Sequence, residues 1–162
     1  GQNFSVPVFL TPFTAAFLHG GIAHAAMNVL MLFLVGRMVE PVLGWPRLLL
    51  LYVIGAYAAA LAEYLAAPAS NMPVVGASGA MSAVIAAYVM LFPNKPAKPW
   101  GPIPAKSARP LHLIIGWVAI NLMLAFAGGD LGVNIAIWSH VGGFVAGVFL
   151  AWPLLRWKYR KA

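Results

Sequence analysis

The chain has 162 residues, 62% of them hydrophobic and only 8% charged, with no cysteine and a formal net charge of +7. A mean hydropathy of +0.87 excludes an ordinary water-soluble domain. The absence of cysteine excludes disulfides and thiolate metal sites.

The first 21 residues hold no Lys or Arg and do not form a basic, signal-like leader. They are read as the remnant of an outer loop. Five apolar runs follow, at 22–36, 48–67, 78–92, 111–127 and 133–155. Each is near or somewhat under the roughly 20 residues a helix needs to cross the hydrocarbon core. The runs lack the two-residue alternation of barrel strands, and open strands would leave backbone groups unpaired in lipid. The expected fold is all-α: a polytopic membrane helix bundle forming one domain over 1–162. Gly44-Trp45-Pro46 separates the first two runs, and the proline-rich basic stretch at 93–110 is expected to connect the third and fourth.

All ten basic residues are accounted for by three zones. Arg37 and Arg47 lie in the first connection, Lys95, Lys98, Lys106 and Arg109 in the third, and Arg156, Lys158, Arg160 and Lys161 form the tail. Helices that alternate in direction bring these zones to one side, while the opposite zones carry no Lys or Arg. By the positive-inside rule the basic side is cytoplasmic, so the charge reports topology and anionic headgroups and gives no support for nucleic acid as a partner. The segment 1–21 then falls outside, and a further spanning helix upstream is expected, for a core of at least six.

The first, third and fifth helices start at the outer side. His24 and Asn28 lie near the start of the first, Ser78 opens the third, and His140 lies about two turns into the fifth. Any one of them could be helix glue or a satisfied core group. Polar groups in lipid are costly, however, and four at one depth on three co-directional helices point to a functional site. His24 and Asn28, four residues apart, share a helix face.

Acyl transfer suits this set. A serine hydroxyl needs a base, and the neutral imidazole of His140 can serve at physiological pH. The oxyanion of a tetrahedral intermediate needs donors, for which His24, Asn28 and backbone N–H groups at the start of the third helix are candidates. Gly76, Ala77 and Gly79 flank Ser78, and the glycines let a substrate carbonyl approach. Gly143 and Gly147, spaced as G-x-x-x-G, face a small stripe at Gly79 and Ala83, which allows close helix contact. No carboxylate is positioned for a triad. Glu40 is at the inner end, Asp130 lies ten residues before His140, and Glu63, near the outer end of the second helix, could bond somewhere structural. His112 is interfacial at the inner side.

Three ordered signatures carry a family resemblance: His19-Gly20-Gly21-Ile22-Ala23-His24-Ala25-Ala26-Met27-Asn28, then Gly76-Ala77-Ser78-Gly79, then His140-Val141-Gly142-Gly143-Phe144-Val145-Ala146-Gly147. They resemble the H-x4-H-x3-N, G-x-S-G and H-x2-G-x3-G motifs of rhomboid intramembrane serine proteases, and the similarity runs from about Thr11 to the C-terminus. It implies a six-helix core whose first helix precedes this sequence, with Ser78 and His140 as catalytic dyad. It also implies His24 and Asn28 at the oxyanion and His19 in a structural role nearby. Lateral access for a substrate helix is implied near 111–127 and the loop 128–134. Ser82 departs from the pattern, standing where the family often has a bulky aromatic near the catalytic histidine.

The expected function is therefore cleavage of transmembrane protein segments by a serine endopeptidase without metal or cofactor, in the lipid bilayer of a bacterial inner membrane, the active site opening outward. Two alternatives are a non-catalytic rhomboid-like chaperone or dislocase and a haem-binding or transport bundle using His24 and His140.

Overall fold

The computed structural model describes residues 6–71, 73–92, 98–130 and 136–160, without the side chains at 105–107, 109–110 and 124–130. A 3-10 turn, Val8–Leu10, leads into α1 (Thr11–Ala15). Five longer helices follow: α2 (Ile22–Leu43), α3 (Trp45–Ala66), α4 (Ser78–Leu91), α5 (Ala105–Asp130) and α6 (Ile137–Lys158). The protein is an all-helical membrane bundle among the described residues. Helices α2, α3 and α6 are long and apolar enough to span a bilayer, whereas Ser78–Leu91 and the apolar stretch Leu111–Met123 of α5 are shorter.

Several element bounds differ from the sequence reading. The helix α2 runs through Pro41 to Leu43, so Arg37 is inside it and Arg47 lies in the first turn of α3. The whole connection is Gly44, whose φ of +82° lies in the left-handed region open to glycine. Pro46 does not stop this restart, because a proline in the first turn removes an N–H that has no helical acceptor. The connector expected at 93–110 ends earlier, since α5 begins at Ala105. Its described part is pinned by the Trp100–Ile103 backbone pair and by Trp100 against His112, ring centroids 4.8 Å apart. The residues at 93–97, Lys161 and the access loop at 131–134 lie outside the described set, as do the side chains of Lys106, Arg109 and Asp130.

Small residues place α4 at the centre. Its sequence SGAMSAVIAAYVML is apolar on every side, and most of it is buried against α2, α3 and α6. A helix apolar all round belongs inside a bundle. By contrast, α2, α3 and α6 present exposed Ile22, Phe33, Leu61 and Phe149 on their outer faces, surface that only lipid tolerates on this scale.

The two ends of the bundle differ. At the end where α2 stops and α3 begins, Val39, Leu43, Leu51, Val84, Ala87, Ala151 and Leu154 form a close aliphatic core. The Lys158 ammonium donates to the carbonyls of Pro41 and Val42 at 2.9 Å each, which satisfies the C-terminus of α2. Arg47 lies over the Trp157 ring at 5.1 Å. The opposite end holds the starts of α2, α4 and α6, where glycine and alanine replace bulky side chains and the polar residues gather.

Candidate active site

Ser78 is the first residue of α4, preceded by Ala77 as N-cap. The loop reaches it through Gly76, whose φ of +116° strains any L side chain. Space imposes the same choice: a Cβ there would stand 2.9 Å from His24 Cε1 and 3.0 Å from Nε2. The Gly76 N–H donates to the Ala15 carbonyl at 3.0 Å, so the short α1 holds the loop in place. That N-terminal unit is anchored in turn by the Tyr57 hydroxyl, which donates to the Phe9 carbonyl at 2.7 Å. The loop expected over 1–21 thus contains a short helix and a brace that no apolar run signals.

His140 lies in the first turn of α6. Its Nε2 is 2.8 Å from Ser78 Oγ, within hydrogen-bond reach across 62 residues of sequence. Small residues permit this approach. A Cβ on Gly143 would collide with the Gly79 carbonyl oxygen and one on Gly147 with that of Ala83, while a Cβ on Gly79 would stand 2.6 Å from Ala59 Cβ. Thus α3, α4 and α6 are in near backbone contact beside the serine.

Two further residues position the imidazole. The Glu63 carboxylate accepts from the Ser139 N–H at 2.9 Å and from its hydroxyl at 3.4 Å. Ala136 offers α6 no side-chain cap, so a carboxylate from α3 satisfies that helix start and meets its positive dipole end. On the other side of the ring, His140 Nδ1 hydrogen-bonds to Asn121 Oδ1 from α5. Sequence reasoning missed Asn121, although a lone amide within an apolar run was a signal that it had a polar partner.

His24 and Asn28 stand one turn apart on α2, on the Gly76 side of Ser78. The Gly20 N–H donates to His24 Nδ1 at 3.5 Å, which leaves Nε2 as the protonated nitrogen, next to Gly76. Asn28 is buried, and its Nδ2 has no hydrogen-bond partner among the described residues. That nitrogen lies 3.7 Å from where a Gly76 Cβ would be. His19 meets His24 edge-on, centroids 5.1 Å apart. Ser82 is buried and its hydroxyl donates to the Ser78 carbonyl at 2.9 Å. The structure thus brings His19, His24, Asn28, Gly76, Ser78, Gly79 and His140 to one end of the bundle, and Gly143 and Gly147 to the helix contact that supports them. Among the described residues no cluster of three or more His, Asp or Glu is arranged to hold a metal ion.

A membrane-embedded helix bundle with a serine–histidine contact at the shared end of three helices defines the class of protein. The rhomboid domain model matches residues 8–157, and the chain belongs to that family. The protein is accordingly an integral membrane protein with the lipid bilayer as its environment. It is 34% identical to rhomboid protease GluP of Bacillus subtilis over 148 residues, covering 88% of this chain and 25% of that protein. RHOMBOID-like protein 5 of Arabidopsis thaliana is 31% identical over 85% of this chain and 41% of its own length. Inactive rhomboid protein 1 of Rattus norvegicus is also 31% identical, over 86% of this chain and 15% of its own. The chain therefore spans well under half the length of each of these relatives. No solved structure gives a significant match.

Proposed function

We propose that the protein is an intramembrane serine endopeptidase that cleaves transmembrane segments of other membrane proteins through Ser78 and His140. The observation that carries this reading is the 2.8 Å contact between Ser78 Oγ and His140 Nε2. In the first step Oγ attacks the scissile carbonyl carbon while its proton passes to Nε2. The carbonyl oxygen becomes an oxyanion on the Gly76 side, where His24 Nε2–H, the Asn28 amide and the first-turn N–H groups of α4 can donate to it. His140 then protonates the leaving amine as the C–N bond breaks, which leaves an acyl ester on Ser78. Water, deprotonated by His140, attacks the ester and returns the serine.

A helical substrate must unwind locally, because its carbonyls are otherwise committed to internal hydrogen bonds. Small residues at the cleaved bond suit the narrow space between Gly76 and α2. A bacterial inner membrane, with the basic inner end cytoplasmic and the dyad toward the outer side, fits the charge distribution.

Comparison with a relative named inactive makes the non-catalytic reading the main competitor, and the Ser78–His140 pairing is the observation against it. Both ring nitrogens of His140 are engaged, by Ser78 and Asn121, which speaks against an axial haem ligand. The test is fluorophosphonate labelling together with cleavage of a transmembrane reporter in liposomes. Labelling and cleavage that both vanish in Ser78→Ala support the protease; an unlabelled, inert wild type rejects it.

A further inference from the structure

We infer that Asn121 is a positioning residue that fixes the tautomer of His140 and makes the basicity of the dyad depend on the seating of α5. This inference rests on the protease reading for its functional meaning, but its structural content stands on the hydrogen bonds alone.

The amide of Asn121 has one donating and one accepting end, and its orientation is determined by its second partner. Asn121 Nδ2 is 2.8 Å from the Trp117 carbonyl oxygen, an acceptor, so that end of the amide is the NH2. The carbonyl end, Oδ1, therefore faces His140 Nδ1. Two acceptors would repel there, so Nδ1 carries the proton. A neutral imidazole has only one, and Nε2 is left with its lone pair toward Ser78 Oγ. The chain Trp117 carbonyl, Asn121 amide, imidazole, serine hydroxyl is consistent in only this direction. When Nε2 takes the serine proton, the Nδ1–H bond is already in place and the ring need not rotate.

A neutral amide suits the membrane. Asn121 is 7% exposed, and a carboxylate at that depth would add a buried charge. The neighbouring rung seats the helix: Trp117, one turn before Asn121, stacks on Phe144, one turn after His140, with centroids 4.3 Å apart and planes at 30°. The pairs Trp117–Phe144 and Asn121–His140 form successive contacts of two antiparallel helices. Moving α5 off α6 would break both and release the imidazole to its other tautomer. At Ser82, one turn after Ser78, the side chain is a hydroxyl bonded to the Ser78 carbonyl, so orientation of the ring falls to the amide.

The experiment is ring 15N NMR of the histidine-labelled protein in detergent micelles, with His140 assigned by its loss in His140→Gln, run beside fluorophosphonate labelling rates. Wild type should show a protonated Nδ1 and a bare Nε2. Asn121→Leu and Asn121→Ala should shift the ring toward Nε2–H and slow labelling on the order of ten- to a hundredfold. Asn121→Asp, which keeps an acceptor, should retain the wild-type tautomer, and Phe149→Leu, at an exposed position of α6, should match wild type in both readouts. An unchanged tautomer in Asn121→Leu and Asn121→Ala overturns the inference whatever the activity. Absence of Ser78-dependent labelling in wild type would sink the protease reading while the tautomer comparison still decides the role of Asn121.

Discussion

Gly143 on α6 lies against the carbonyl oxygen of Gly79 on α4, so near that no side chain fits between them. The contact is one residue after Ser78 and one turn after His140, so backbone proximity directly permits the Ser78–His140 contact. Substituting Gly143→Val must push the helices apart. Overpacking of this kind costs about 1–3 kcal/mol, and a small separation lengthens the Ser78–His140 contact. Gly143→Val should lower the thermal unfolding midpoint in detergent and reduce kcat more than it raises KM; Gly147→Val should share the stability loss. A normal kcat in Gly143→Val would contradict the argument.

Removing the Ser78 hydroxyl or the His140 ring should leave the fold unchanged, because neither side chain belongs to the aliphatic core at the opposite end of the bundle. Ser78→Ala and His140→Ala are each expected to lower reporter cleavage by about 10⁴-fold or more. Circular dichroism and unfolding midpoints should stay near wild type. Cleavage at the normal rate in both variants would remove Ser78 and His140 from the mechanism.

His24 and Asn28 should act on the transition state. Loss of one oxyanion donor typically lowers kcat by about 10²–10³-fold, so His24→Ala and Asn28→Ala should do so with little change in KM. Gly76→Ala should resemble them, since its methyl group would displace the His24 ring. Steady-state kinetics on a transmembrane reporter check this. An effect confined to KM would assign these residues to substrate binding.

Glu63 ties α3 to the start of α6 through two bonds from Ser139. Hydrogen bonds to a charged group contribute about 1.5–3 kcal/mol. Glu63→Ala should therefore destabilise the protein by that order and lower activity by letting the first turn of α6 fray. Glu63→Gln, which can still accept from Ser139, should lose less of both. Thermal unfolding followed by cleavage assays distinguishes the two variants.

The bundle, its basic end and the end that collects the site were legible from composition and from the starts of the apolar runs. Alternating helices must return every second start to the same side, so His24, Asn28, Ser78 and His140 could be placed at one depth before any coordinates. Glycine spacing likewise marked where α4 and α6 could approach. Periodicity is blind to partners, however, and this is where the tertiary structure decided. The brace from α1 to Gly76 joins residues whose local sequence reads as loop. Glu63 and Ser139 are 76 residues apart, and the amide of Asn121 meets the His140 ring across the same pair of helices that Trp117 and Phe144 join. An apolar run states that its helix is in lipid, but the rotation of that helix about its axis is set by packing against its neighbours. Only that rotation decides which polar atom meets which.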